Sequence, residues 1–133
     1  MMCEMGETTI HHVAVMCTDR VKAEVFFTKI LGVPLAKNFL LSAEMTYAIF
    51  GVTEKVEVDV FDDGCARFEV FYTKSKRKSL FEHICIEVKR KHEFIVRCKD
   101  HGLEPFEVQK DGKMLLFVRD FSSNLFEIKE QVS

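Results

Sequence analysis

Two histidines and two glutamates recur in matching surroundings along this chain. His12 lies in the run IHHVAV and His83 in the run EHICIEV, while Glu69 lies in RFEVF and Glu127 in LFEIK. Neutral imidazoles and carboxylates together form a mixed nitrogen and oxygen donor set, which suits a divalent transition metal with room for bound water. A glutamate beside such an ion can also act as a general base. The first hypothesis from the residues is therefore a metal site.

The hydrophobic pattern predicts the same order of elements twice: strand, helix and three strands. In the first half, strands are predicted at 9–17, 34–41, 55–61 and 66–72, with a helix at 20–32. In the second half, strands are predicted at 83–88, 104–110, 113–120 and 125–130, with a helix at 91–102. A Ser cap and a terminal Gly predict an additional short helix at 42–51, between the second and third strands.

The repeated order indicates an internal duplication. At the offset that aligns His12 with His83, Pro34 aligns with Pro105, and Gly32 falls one residue from Gly102. Duplicated modules of this size bury one continuous core when they pack together. We therefore expect a single domain, 1–133, made of modules at 8–73 and 82–130, with the helix at 42–51 inserted in the first module.

The alternation of side chains along a strand assigns the four residues to faces. Each of His12, Glu69, His83 and Glu127 is predicted to lie opposite the apolar, helix-covered face of its strand. His11 is the main rival to His12, but its position in the strand points it to the other face. Taken singly, each histidine is more often a surface residue and each glutamate a solvent-facing one, so the hypothesis depends on the joint pattern.

Other side chains near these strands have two readings each. Glu57 and Asp59 share one face of the third strand, where a solvated face is expected and a polar cavity lining is the alternative. Cys85 is expected to be a small filler, with a cavity thiol as the alternative. Tyr47 and Phe50 are predicted to lie on a helix near the mouth of a cavity, where they could form a lid or pack in the core.

Composition excludes several classes of protein. The net charge of −2 and the pI of about 6.2 give no basic field for nucleic acid, and the basic runs at 74–78 and 89–91 are expected to be solvated. Five cysteines without a CxxC pair suggest neither a disulfide framework nor a zinc finger. No apolar run is long enough for a membrane helix, and the start MMCEMGETT lacks the features of a signal peptide, so a cytoplasmic protein is expected.

The segment IHHVAVMCTDRVKAEVFFTKILGVPL resembles the opening strand and helix of the vicinal oxygen chelate superfamily. The segment RDFSSNLFEI resembles the closing segment of the same superfamily, which includes glyoxalase I, methylmalonyl-CoA epimerase, extradiol dioxygenases and bleomycin and fosfomycin resistance proteins. The chain departs from the pattern at Phe121, where Pro is common, and at Ser123, where Gly is common. The inserted helix is a further departure.

The resemblance implies an α+β fold in which two βαβββ modules form a curved mixed sheet around one cavity. It implies that His12, Glu69, His83 and Glu127 bind a divalent ion (Ni, Zn, Co, Mn or Fe), with Glu69 or Glu127 as the catalytic base. The implied activity is that of an isomerase, epimerase or lyase acting on a small oxygen-chelating substrate through a metal-stabilised enolate. A metal-free small-molecule-binding protein of the bleomycin-resistance type is the alternative, and a dioxygenase is a further one. The implied assembly is a homodimer, in which the modules of one cavity can come from two chains.

Overall fold

A computed structural model of the chain describes residues 6–75 and 80–132. The first residues of MMCEMGETT, and most of the basic run at 74–78, lie outside the described residues. Within the described ranges, no helix has both the length and the apolar character needed to cross a membrane.

In the described residues, eight strands form two four-stranded sheets of identical topology. The first sheet contains β1 (Val13–Cys17), β2 (Leu35–Leu41), β3 (Val56–Asp62) and β4 (Arg67–Tyr72), in the order β1-β4-β3-β2. The second contains β5 (His83–Val88), β6 (Phe106–Lys110), β7 (Lys113–Arg119) and β8 (Leu125–Glu130), in the order β5-β8-β7-β6. In each sheet the first and last strands of the module pair in parallel and the other neighbours pair antiparallel. The predicted paired-module fold is thereby confirmed.

The first helix is wider than the sequence pattern suggests. It begins as α1 (Arg20–Glu24), which Asp19 caps by accepting a hydrogen bond from the Lys22 backbone N–H at 3.1 Å. It continues as a π-helical segment, Val25–Ile30, and at its end the N–H of Leu31 donates to the carbonyl of Phe26 at 2.9 Å. The wider turn lets Phe26, Phe27 and Ile30 all face the interior, where all three are fully buried.

Both modules share one aromatic core. The ring of Phe27 stacks on that of Phe61 with centroids 4.9 Å apart and lies 5.1 Å from that of Phe68, both in the first sheet. The ring of Phe26 lies 5.0 Å from that of Phe126 in the second sheet. Buried aromatic pairs at these distances contribute both apolar burial and favourable ring geometry. The segment after α1 therefore ties the two sheets together.

Strand β1 is shorter than predicted, because residues 9–12 lie outside it. Val13 pairs with Phe68, and β4 itself begins only at Arg67, after the turn that follows β3. Residues before Val13 therefore run past the start of the neighbouring strand and have no ladder to join. For that reason strand alternation does not govern the direction of His11.

The inserted helix is confirmed as α2 (Ala43–Phe50). The Ser42 hydroxyl accepts from the N–H of Met45 at 3.2 Å, and Gly51 ends the helix in the left-handed region at a φ of 73°. In the second module, a tight turn at 111–112 joins the corresponding strands β6 and β7, and no helix lies between them. The remaining helix, α3 (Lys91–Asp100), lies between β5 and β6 in the chain, and His92 and His101 are exposed as expected.

Candidate metal centre

The first candidate pair joins the first and last strands of module one. Ala14 in β1 lies opposite Glu69 in β4, and His12 precedes Ala14 by two residues. The Nε2 atom of His12 lies 3.5 Å from Oε1 of Glu69. Their side chains are 35% and 21% exposed, so the pair is accessible without being fully solvated. We call the side of each sheet that carries its glutamate the site face.

The second module repeats this pair in the same register. Cys85 in β5 lies opposite Glu127 in β8, and His83 precedes Cys85 by two residues. The Nε2 atom of His83 lies 3.8 Å from Oε1 of Glu127, and their side chains are 45% and 17% exposed. The structural repeat therefore extends from the order of the strands to the positions of these two pairs.

Both histidines turn Nε2 toward the glutamate and engage Nδ1 elsewhere. Nδ1 of His83 lies 3.0 Å from the carbonyl oxygen of Phe81, which can only accept, so Nδ1 carries the proton. In the neutral ring this leaves a lone pair on Nε2, the atom that faces Glu127. A histidine held in this way is oriented as metal-binding histidines usually are.

The prediction that His11 points away from His12 is wrong. Its Nδ1 atom lies 2.9 Å from Nδ1 of His12, and its ring also contacts the guanidinium of Arg67, on the site face of β4. The rings of the two histidines meet edge to face, with centroids 5.1 Å apart. Because His11 precedes the strand, the backbone is not constrained to alternate there.

Charged and thiol groups surround the second pair. Nζ of Lys129 lies 3.7 Å from Oε2 of Glu127, so the two carboxylate oxygens face a cation and an imidazole respectively. Partial desolvation, and then the charge of Glu127, raise the pKa of the Cys85 thiol, which stays protonated at neutral pH. Cys85 is exposed on the site face and does not fill a gap in the core, contrary to the expected role as a filler.

The two pairs do not meet within one chain. Across residues 6–75 and 80–132, no three His, Cys, Asp or Glu side chains are arranged so that they could hold a metal ion. A cavity of about 290 Å³ lies where β1 approaches the start of β5, and it is lined in part by Met16, His83 and Asn124. The convergence of all four predicted ligands on one ion stays a prediction.

A larger apolar cavity lies beside the first pair. It has a volume of about 470 Å³ and lies between α2 and the site face of the first sheet. Phe50 lines this cavity, and its ring meets that of Phe71 edge to face at 5.6 Å. Tyr47 lies on the same helix but is 63% exposed and does not line the cavity. The helix is thus as predicted, and Phe50 lies at a cavity that none of the four predicted ligands lines.

The expectation of a solvated face for Asp59 is wrong. Glu57 is exposed, but Asp59 is only 1% exposed and is covered by α1. It accepts hydrogen bonds from Nη2 of Arg20 at 2.8 Å, the Tyr72 hydroxyl at 2.7 Å and the side-chain amide of Asn38 at 2.9 Å. Burial alone would raise the pKa of Asp59, but these donors outweigh it and hold the pKa below its usual value.

This network joins the start of α1 to three strands of the first sheet. The guanidinium of Arg20 also lies 5.5 Å from the ring centroid of Tyr72. The hydrogen-bonded carboxylate of Asp59 raises the pKa of Arg20. The residues predicted to be functional included neither Arg20 nor Tyr72. Their spacing along the chain carries no periodic signal, because the contact depends on how the helix docks on the sheet.

Comparison with solved structures gives the fold a clear placement. A glyoxalase family protein from Bacillus cereus is 19% identical with a TM-score of 0.72, and the match covers 98% of this chain and 100% of that one. Glyoxalase I from Leishmania major is 18% identical with a TM-score of 0.71, covering 93% of this chain and 87% of that one. A glutamine variant of the fosfomycin resistance protein FosX from Listeria monocytogenes, complexed with Mn(II) and dihydroxypropylphosphonic acid, is 16% identical with a TM-score of 0.70, covering 92% and 89%.

Comparison at the level of sequence adds no match: no family model and no curated protein is significantly similar to this chain. At identities below a quarter, likeness of structure establishes the fold and not the activity. The chain therefore has the paired βαβββ fold of the glyoxalase and FosX proteins of the vicinal oxygen chelate superfamily, which its opening and closing segments resemble.

Proposed function

We propose that this protein is a metal-dependent enzyme of the glyoxalase type. It would act as an isomerase, epimerase or lyase on a small substrate that offers two adjacent oxygen atoms. The observation that carries the proposal is the repeated pair, His12 with Glu69 and His83 with Glu127, placed in the same register of both modules.

The geometry of each pair fits a divalent ion. Two neighbouring donors bound at about 2.1 Å lie about 3 Å apart in a coordination sphere. The donor atoms of the two pairs are 3.5 Å and 3.8 Å apart, so small side-chain movements would suffice. The nitrogen and oxygen donors suit Ni, Zn, Co, Mn or Fe. The solved FosX complex with Mn(II) shows that this fold can hold such an ion.

A complete site needs both pairs, and we propose that a second copy of the chain supplies one of them. Each pair alone offers two donors, too few to hold an ion firmly against water. Because the pairs stay apart within the described part of one chain, a homodimer in which module one of one copy faces module two of the other would bring four donors together.

The protein residues have distinct roles in the proposed reaction. A divalent ion, when bound, supplies a Lewis acid that makes a C–H bond next to the chelated oxygens more acidic. Glu69 or Glu127 takes that proton on a carboxylate oxygen and returns it to another carbon or to the opposite face of the same carbon. His12 and His83 would hold the ion that orients the substrate oxygens. The glutamate side chains are only 21% and 17% exposed, which restricts the access of water.

Metal titration of purified protein tests the proposal. The protein is stripped with a chelator, and its affinity for Zn²⁺ and Mn²⁺ is measured by competition with a fluorescent chelator. Glu69→Gln and Glu127→Gln are each expected to weaken binding by at least about tenfold, because each removes a charged donor. Glu87→Gln is the matched control, since Glu87 is exposed on β5 but pairs with Lys129 and not with a histidine.

The result separates the proposed enzyme from the main alternative. A metal-free binding module of the bleomycin-resistance type could use the same apolar cavity but would bind no ion at these residues. Equal affinity in the wild type, Glu69→Gln and Glu127→Gln would remove the metal from the proposal and leave that binding module as the better description.

A further inference from the structure

We infer that the substrate carries an apolar tail, aliphatic or aromatic, which lies in the cavity under α2 while its oxygen-bearing head lies at the His12–Glu69 pair. The inference rests on the proposed function, because the head is placed there by the proposed metal. The cavity itself, however, is defined by residues that take no part in the metal site.

The cavity is continuous with the candidate site along two neighbouring strands. On β1, Ala14 and Met16 follow His12 at successive positions of the site face, and both line the cavity. On β4, Phe71 follows Glu69 on the same face and also lines it. Same-face neighbours in a strand are about 6.4–6.8 Å apart. One small molecule can therefore reach from the pair into the cavity.

The lining of the cavity selects an apolar group. Its side chains are mainly hydrophobic: Ala14, Met16, Phe50, Val52, Val56 and Phe71. The charged side chains that contribute, Glu54 and Lys74, are exposed to solvent and have opposite signs. A volume of about 470 Å³ falls within the range of small-molecule sites. The hydroxyls of Thr46 and Thr73, which also line the cavity, are bonded to backbone carbonyls of the protein. A sugar or a highly charged tail would therefore lose hydration there and gain few partners.

The buried hydroxyl on α2 is not available to a ligand. Thr46 is 3% exposed, and its hydroxyl lies 2.7 Å from the carbonyl oxygen of Glu54 and accepts from the Glu54 N–H at 3.3 Å. This hydroxyl is therefore committed to holding α2 against the segment before β3. The ring of Phe50 then closes on Phe71, so α2 forms a fixed apolar wall.

Within residues 6–75 and 80–132, such a wall exists only in module one. Module two joins β6 to β7 by a tight turn, so no described helix covers the site face beside His83 and Glu127. The paired halves therefore offer chemically similar donors but different surroundings. A substrate with a chelating head and one apolar tail fits this asymmetry, whereas a small symmetric chelator would not use it.

A homologous series of 1-alkanols, from butanol to octanol, tests the tail site on metal-free protein. Dissociation constants are measured by NMR chemical-shift titration. The expected gain is up to about fourfold per added methylene, which corresponds to about 0.8 kcal/mol for each buried CH₂. Phe50→Ala and Val52→Asp are expected to flatten this dependence. Tyr47→Ala is the matched control on the same helix and should leave it unchanged.

A second series joins head and tail. Acetohydroxamate and octanohydroxamate present the same pair of oxygens with a short or a long tail, and their binding is measured on Zn²⁺-loaded protein. Octanohydroxamate is expected to bind at least about tenfold more tightly, and Phe50→Ala should remove most of that difference without changing Zn²⁺ affinity.

The two series distinguish the failure of this inference from that of the proposed function. An alkanol series without length dependence, or one equally affected by Tyr47→Ala and Phe50→Ala, overturns the tail site even if Zn²⁺ binds as proposed. If the four proposed ligands do not bind Zn²⁺ but affinity still rises with alkanol length, the proposed function is overturned and an apolar binding site remains. Phe50 and Val52 are each about half exposed, so their variants are expected to fold.

Discussion

Nδ1 of His11 lies 2.9 Å from Nδ1 of His12, and this contact leaves Nε2 of His12 facing Glu69. Between two such atoms one must donate and the other accept. The guanidinium of Arg67 can only donate and contacts Nε2 of His11, so a neutral His11 ring carries its proton on Nδ1 and donates to Nδ1 of His12. The proton of a neutral His12 ring then lies on Nε2, facing Glu69, whereas Nε2 of His83 carries a lone pair. An ion at Nε2 of His12 would require the proton of that ring to move to Nδ1, but the contact with His11 already fixes the orientation of the ring. His11 is therefore a positioning residue for the proposed ligand.

The first prediction compares the two neighbouring histidines. His11→Ala is expected to weaken Zn²⁺ binding by about tenfold, because it removes the partner that orients His12. His12→Ala should weaken binding more, since it removes a donor atom. Zn²⁺ competition measures both, with the exposed His92→Ala as control. If His11→Ala weakens Zn²⁺ binding as much as His12→Ala does, His11 is itself a ligand.

The second prediction concerns the source of the two pairs. A mixture of His12→Ala chains and Glu127→Gln chains, carrying different tags, is allowed to exchange, and the mixed dimer is isolated. If each site takes module one from one chain and module two from the other, the mixed dimer has one intact site and one site with both defects. It should bind Zn²⁺ at one site with the wild-type affinity.

The control for this experiment is built into the parent variants. Dimers of His12→Ala alone, or of Glu127→Gln alone, carry a defect in every site and should bind weakly. A mixed dimer that binds no better than either parent would mean that each site belongs to a single chain, and the proposed exchange of modules would have to be abandoned.

The third prediction follows from the buried carboxylate of Asp59. Asp59→Asn removes the charge that Arg20 and Tyr72 contact, and is expected to reduce the free energy of unfolding by about 1–3 kcal/mol at pH 7. The expected loss in the free energy of unfolding is modest because the side chain of Arg20 is 46% exposed, so solvent screens the ion pair. Glu57→Gln, which changes the exposed partner of Arg20, should have a much smaller effect.

The pH dependence of this effect has a definite sign. The pKa of Asp59 is lowered in the folded protein, so its contribution to stability is present above the ordinary value of about 3.9 and is lost as the pH falls through the lower folded value. The gap between wild type and Asp59→Asn in urea unfolding should therefore narrow below about pH 4. A gap that stays constant from pH 7 to pH 3 would contradict the assignment.

The correspondence between residues of the two modules was predictable because it follows from the two-residue alternation of strands and from the repeated order of the elements. Alternation along a strand correctly assigned the faces of Glu69, Glu127 and His83, and the duplicated order correctly gave two sheets of the same topology. Capping signals at Ser42 and Gly51 correctly located α2. Each of these features depends on residues near one another in the chain.

The features that the sequence missed depend on contacts between distant segments. Asp59 looked solvent-facing because the pattern of β3 does not show that α1 covers it through Arg20, 39 residues away. His11 was misassigned because the end of the β4 ladder, and not its own strand propensity, decides where alternation stops. The π-helical turn after Glu24 has no signature in the helical spacing either.

The last prediction concerns Ser123, which stands where the superfamily commonly has Gly. Its φ of 68° lies in the left-handed region, which costs a residue with a Cβ about 1 kcal/mol or more. Ser123 is exposed, and the turn is held mainly by Asp120, which accepts from the N–H groups of Ser122 and Asn124. Ser123→Gly should therefore relieve strain without removing those bonds. Part of the gain is offset by the greater freedom of Gly in the unfolded chain, so we expect a net stabilisation of about 0.5 kcal/mol in urea unfolding.

Ser122→Gly is the control and should destabilise by about 1 kcal/mol, because the Ser122 hydroxyl accepts from the Thr18 N–H at 3.0 Å. Destabilisation by Ser123→Gly would show that the serine side chain supports the turn and that its backbone is not strained.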